Sequence, residues 1–209
     1  METKQFTVTK TLLFDKWGTD GIQVRDLGLA KYISVEAKII PHSFGKKTRK
    51  RFEKAHVSIV ERLINKIMRS GQGKRKLSGK YIRGRDSCGK KFQAMGIVER
   101  AFEKIEGETQ QNPVQVLIRA VENAAQREDI TRMKKGGIAY TVAVDVSPMK
   151  RLDEALKNIA LACFSGSFNN KKSAWEALAE EIILAAKGDN KASSIKRRDE
   201  VERIAKSSR

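Results

Sequence analysis

Outside a glycine-rich insert at 70–91, apolar residues return every three or four positions from residue 55 onward, and this pattern is interrupted once. A chain patterned this way folds as packed amphipathic helices, because only a period near 3.6 gathers such positions onto one face. Val57, Val60, Ile64 and Ile67 predict a helix over residues 55–69, and Phe92, Met95, Val98, Phe102 and Ile105 one over 90–106. Asn112-Pro113 reads as a helix start, with Asn as the cap and Pro at the first helical position. Val116, Leu117, Ala120, Val121 and Ala124 supply that helix's buried stripe. Ser147-Pro148 repeats the signal, with Leu152, Leu156, Ile159 and Cys163 as the stripe and Ser165-Gly166-Ser167 as the terminating turn. Trp175, Leu178, Ile182 and Ala186 predict a helix over 171–187 that stops at Gly188. A last, weakly amphipathic helix over 193–207 is supported by the acid-first pairs Asp199–Arg203 and Glu202–Lys206.

The interruption lies at 138–146, where Ile138, Tyr140, Val142, Val144 and Val146 alternate with smaller or polar residues. A period of two is a strand with one apolar face. Residues 129–135 can pair with it, and Gly136-Gly137 supplies the positive φ angles of a two-residue hairpin turn. A lone hairpin is marginal in water, so this one must lean on the helices or on a partner. Its tip is basic, with Arg132, Lys134 and Lys135.

Residues 1–45 show no strong period, only a turn at Thr19-Asp20-Gly21 and an isolated Pro41. They read as an extension with short elements and no core of their own. The expected architecture is mainly α: a bundle of about six helices with a protruding β-hairpin and a basic N-terminal extension. The extension covers 1–54, and the helical domain covers 55–209, with a basic insert at 70–91 and the hairpin at 128–146.

Charge points to the partner. The chain carries 43 Lys and Arg against 25 Asp and Glu, net +18. Residues 46–91 alone are net +14, whereas 1–45 are net +1, 92–126 net −2 and 127–209 net +5. A surplus confined to so short a stretch is a docking surface for a polyanion. The run Lys46, Lys47, Arg49, Lys50, Arg51 and Lys54 leads into the first helix. The insert follows with five glycines and with Lys74, Arg75, Lys76, Lys80, Arg83, Arg85, Lys90 and Lys91. A basic loop of this length inside a helical domain is functional or orders on binding.

Other classes of function find little support. Gly84 to Lys90 spells GxxxxGK, but Lys91 stands where a Mg²⁺-binding hydroxyl belongs, and no apolar strand precedes it. Cys88 and Cys163 are far apart, and His42 and His56 lack zinc-ligand spacing, so neither a cofactor nor a metal is expected. Glu180-Glu181 reads as solvated helix charge. Aromatic residues are 6% of the chain and fall mostly on core-facing positions, against a stacking platform for single-stranded bases. A duplex-DNA reader would need the 113–124 helix as its recognition helix, but Glu122 on it repels phosphate. No stretch approaches the roughly 20 apolar residues of a membrane span, and the first ten residues lack a signal-peptide core. The expectation is a soluble cytoplasmic protein that recognises folded RNA by shape through phosphates and 2′-hydroxyls.

Several ordered stretches are familiar. Glu61 to Met68, Ala101 to Ile105, Asn112-Pro113 through Arg119 to Asn123, and Arg127-Glu128-Asp129 through Gly136-Gly137 to Val144-Asp145-Val146-Ser147-Pro148 follow in order. Together they resemble the small-subunit ribosomal protein seven family. Phe14 to Asp26 and Ile195 to Ser207 look like its archaeal and eukaryotic branch. The resemblance implies a helical bundle with a protruding hairpin that binds the 3′ major domain of small-subunit ribosomal RNA and supports assembly of the subunit head. It implies neighbouring ribosomal proteins as partners, and a hairpin close to E-site transfer RNA and messenger RNA. It carries RNA contacts over to Lys46–Lys54, to Arg132, Lys134 and Lys135, and to Lys150 and Arg151. The returning strand, 138–142, is less basic than in eukaryotic members.

Overall fold

The computed structural model describes residues 11–50, 52–71, 76–77, 80–81 and 89–209. Among them the order of elements is α1 (Leu27–Ala30), α2 (Ile59–Met68), β1 (Lys76–Leu77), β2 (Lys80–Tyr81), α3 (Lys91–Thr109), α4 (Pro113–Ala124), β3 (Glu128–Lys135), β4 (Ile138–Asp145), α5 (Pro148–Ser167), α6 (Ala174–Lys187) and α7 (Ser193–Ser207). Two 3₁₀ turns, Lys46–Thr48 and Glu53–His56, precede α2. The fold is mainly α with a two-stranded antiparallel hairpin.

Helix α6 is central, packing against α3, α4 and α5, while α2 lies on α3 and α5. Leu63, Ile64, Phe102, Leu117, Leu156, Ile159, Leu178 and Ile182 are fully buried between these helices. Helix α4 begins as its sequence requires: Asn112 Oδ1 accepts the Val114 N–H at 3.0 Å, and Pro113 stands at the first position. With Val114, Val116, Leu117, Ile118, Ala120 and Val121 all buried, α4 is a core helix rather than a groove reader.

Some local expectations change. Helix α5 runs straight through Ser165-Gly166-Ser167, because Gly166 is a point of close approach to α6. A Cβ there would stand 3.1 Å from the Ala177 Cβ. Phe92 is exposed at the first turn of α3, and the buried stripe starts at Ala94 and Met95. In α7, Glu202 accepts the Arg127 N–H and Asp199 pairs with Arg198, in place of the expected i,i+4 pairs.

The N-terminal residues join the core of the bundle. Leu13, Trp17, Leu29 and Ile33 are buried in the same cluster as the helices. The Trp17 ring meets Phe102 edge-on at 5.6 Å, and its Nε1 donates to Glu106 at 2.8 Å. Lys16 Nζ lies 2.6 Å from both Glu103 and Glu99, which raise its pKa. Glu122 accepts the N–H groups of Arg25 and Asp26 at 2.7 and 3.0 Å. The acidity of 92–126 therefore serves to hold the N-terminal segment across α3 and α4.

Candidate nucleic-acid interface

In the hairpin, Gly136 and Gly137 have φ of 60° and 82°, and Lys135 pairs with Ile138 across the turn. Positive φ at both central residues matches the right-handed twist of the strands. The register sets two faces. Met133, Ile138, Tyr140, Val142 and Val144 share one, while Arg132 and Lys134, opposite Thr141 and Ala139, share the other. The apolar face is exposed, with Ile138 at 60% and Tyr140 at 50%. The ties to the bundle gather at the base of the hairpin. Arg209 pairs with Glu128, Lys150 Nζ lies 2.7 Å from Asp129, and α7 packs beside β3. Eight residues per strand give a reach of about 27 Å.

The basic run preceding α2 divides into two kinds of cation. Lys46, Arg49 and Lys50 are exposed and form no ion pair among the described residues. Lys47 reaches Glu36 at 2.8 Å and the His56 carbonyl at 2.9 Å. Lys54 meets Asp153 of α5 at 2.5 Å, and Asp153 also faces Arg62 at 3.4 Å and Lys66 at 3.5 Å. Burial pushes the Asp153 carboxyl up, but Lys54, Lys66 and Arg62 outweigh it and hold the group below its ordinary value. One carboxylate thus holds three cations, and the cluster keeps a positive excess.

The other candidates fall on both sides of the same division. Lys90 is exposed, whereas Lys91 is bonded to the buried Glu61 at 2.7 Å. Lys150 is half exposed beside Asp129, and Arg151 is largely buried at 2.9 Å from Asp26. Arg132 and Lys134 are exposed, and Lys135 is placed by its backbone pairing alone. Lys76 and Lys80 are placed by backbone pairing, opposite Tyr81 and Leu77. Arg51, Lys74, Arg75, Arg83 and Arg85, with Cys88 and most of the GxxxxGK stretch, lie outside the described residues.

No cluster of three metal-ligating side chains occurs among the described residues, and no helix described is long and apolar enough to cross a membrane. Burial pushes the Cys163 thiol up to about 12, with help from the charge of Glu181, and its Sγ–H donates to the Ala174 carbonyl. It is a core group. Glu181 is itself buried, contrary to its reading as solvated charge. It accepts from Ser194 N–H and Oγ at 2.8 and 2.6 Å, supplying the start of α7 that no cap side chain serves.

The family model for ribosomal protein S7p/S5e matches residues 29–209. The chain belongs to that family. It is 46% identical over 197 residues to the small ribosomal subunit protein uS7 of Methanothermobacter thermautotrophicus, spanning 94% of this chain and 98% of that protein. The resemblance read from the ordered motifs is thereby established, and with it a structural rather than enzymatic family.

Sequence reasoning missed the exposed aromatics of this S7p/S5e member. Phe44 is 78% exposed and Phe52 62%, both within or beside the basic run. A signal was present: Phe44 stands two residues before Lys46-Lys47, and Phe52 directly follows Arg51.

Proposed function

We propose that this chain binds the 3′ major domain of small-subunit ribosomal RNA, supports assembly of the subunit head, and sets its hairpin near E-site transfer RNA and the messenger RNA exit. As a member of the S7p/S5e family it is a structural, RNA-binding constituent of the small subunit in translation. Small-subunit RNA and neighbouring small-subunit proteins are its partners, and the cytoplasmic ribosome is its place of work.

The observation that carries the RNA reading is the separation of cations. Lys47, Lys54, Lys91, Lys150 and Arg151 are engaged by carboxylates of the fold. Lys46, Arg49, Lys50, Lys90, Arg132 and Lys134 are left exposed on the run, the foot of α3 and the hairpin. Exposed cations without protein counter-charge are those that gain most from releasing phosphate counterions.

A hydroxyl-radical footprint of the full chain on a small-subunit RNA transcript tests this. Protections gathered in the 3′ major domain are expected. Protections elsewhere, or none at low salt, would overturn the assignment. A photo-crosslinker at Ala139 in assembled subunits tests the hairpin's position, with crosslinks to transfer or messenger RNA expected.

A further inference from the structure

We propose that Phe44 is a stacking platform for one unpaired nucleobase of the bound RNA, a contact distinct from the phosphate contacts of the cations beside it. The proposal rests on the RNA-binding reading above and adds a base contact to it.

Three observations meet at this residue. The ring is 78% exposed, although burying a phenylalanine is among the larger gains a fold can make. Its backbone has φ of 49°, in the left-handed region that a residue with a Cβ rarely adopts and that glycine would occupy freely. The local structure nevertheless holds it there. The Phe44 N–H donates to His42 Nδ1 at 2.8 Å, and the two rings stack with centroids 4.2 Å apart at 29°. One face of Phe44 is thus occupied by imidazole, and the ring as a whole is held out toward solvent.

The surroundings identify the ligand. Lys46, Arg49 and Lys50 follow within six residues, on and just after the 3₁₀ turn that Gly45 opens, all exposed. Ser43 behind the ring is anchored, its N–H and Oγ both bonded to the buried Glu61 at 2.9 and 3.0 Å. An apolar protein surface would gain nothing from these cations, whereas a nucleic acid offers a π-face and a phosphate in each residue. A rigid ring set among phosphate-binding cations suits a base turned out of a loop or bulge. The ring has no hydrogen-bonding edge, so the contact tolerates any base.

The full-length chain is titrated with a transcript of its small-subunit RNA over a salt series, as wild type, Phe44→Ala, Phe44→Trp and the triple Lys46→Ala/Arg49→Ala/Lys50→Ala. Phe44→Ala is expected to weaken binding roughly 5- to 100-fold with an unchanged salt slope, since stacking releases no counterions. Phe44→Trp should retain affinity, with its indole emission changing on binding. The triple variant should make the slope shallower. Thermal melts confirm that each variant is folded. Phe44→Ala within twofold of wild type, or a slope change in it, overturns the stacking contact while leaving the RNA reading intact. A wild type that binds without salt dependence overturns both.

Discussion

The Lys91 ammonium lies 2.7 Å from Oε1 of Glu61, a carboxylate only 2% exposed in the first turn of α2. It joins α2 to α3 across the two ends of the insert. Lys90, one residue earlier, is exposed. Two adjacent lysines in one basic stretch thus have opposite tasks.

Lys91→Ala should destabilise the fold by about 3 kcal/mol, because it leaves Glu61 buried with Ser43 as its main donor. Lys90→Ala should change stability by less than about 0.5 kcal/mol. Urea unfolding followed by circular dichroism measures both. Equal effects would mean that Glu61 does not depend on Lys91.

The helical bundle and hairpin were legible because their signals are local and repeated: a 3.6-residue stripe, two Xaa-Pro helix starts, and Gly136-Gly137 directly before the alternating segment 138–146. The division among the cations was not legible. Nothing near Lys54 in sequence announces Asp153, and nothing near Arg151 announces Asp26, since both partners arrive through tertiary packing. The same holds for Glu181, whose role depends on where α7 begins. Phe92 failed for another reason: it fits the stripe's period but precedes the point where α3 meets its neighbours. A periodic pattern locates a face without saying how far along the helix that face is covered.

Acid should weaken the fold through Glu61 and Asp153. Burial pushes each carboxyl up, but Lys91 and Ser43 for Glu61, and Lys54, Lys66 and Arg62 for Asp153, leave both below their ordinary values of 4.5 and 3.8. A carboxyl depressed in the folded state contributes stability in full above its unfolded value and loses it as pH falls through the folded one. Urea midpoints should therefore be flat on this account from neutrality to about pH 5 and fall below it. Asp153→Asn should show a shallower fall, and a fall as steep as wild type would remove Asp153 from the cause.

Gly166 and Gly107 should respond oppositely to alanine. Both are helical, so each change gains about 1 kcal/mol of helix propensity. At Gly107 nothing lies within 4 Å of the added Cβ, and the gain should appear as a raised melting temperature. At Gly166 the new methyl would stand 3.1 Å from Ala177 Cβ, an atom fixed to the backbone of α6 that cannot rotate away. Overpacking of about 1–3 kcal/mol then exceeds the gain, and Gly166→Ala should melt lower than wild type. A higher melting point would show that α5 and α6 can separate without loss.

Arg132 and Lys134 differ from Arg151 in a way that salt can expose. The first two stand on the exposed cationic face of the hairpin, opposite Thr141 and Ala139. Arg151 is 11% exposed, and the Asp26 carboxylate that receives it at 2.9 Å also accepts the Gly28 N–H that begins α1. Replacing Arg132 and Lys134 together by Ala should leave the unfolding midpoint unchanged and make the log–log salt slope of RNA binding shallower by about 1.4 to 1.8, since each phosphate no longer neutralised removes about 0.7 to 0.9. Arg151→Ala should do the reverse, costing about 2 kcal/mol of stability through its missing charged hydrogen bond and changing the slope little. Binding isotherms between low and moderate salt, with urea unfolding on the same preparations, separate the two outcomes. A slope change of about 0.7 to 0.9 in Arg151→Ala, half that of the hairpin pair, would place RNA against α5 and make the Asp26 pair an ion pair that opens on binding.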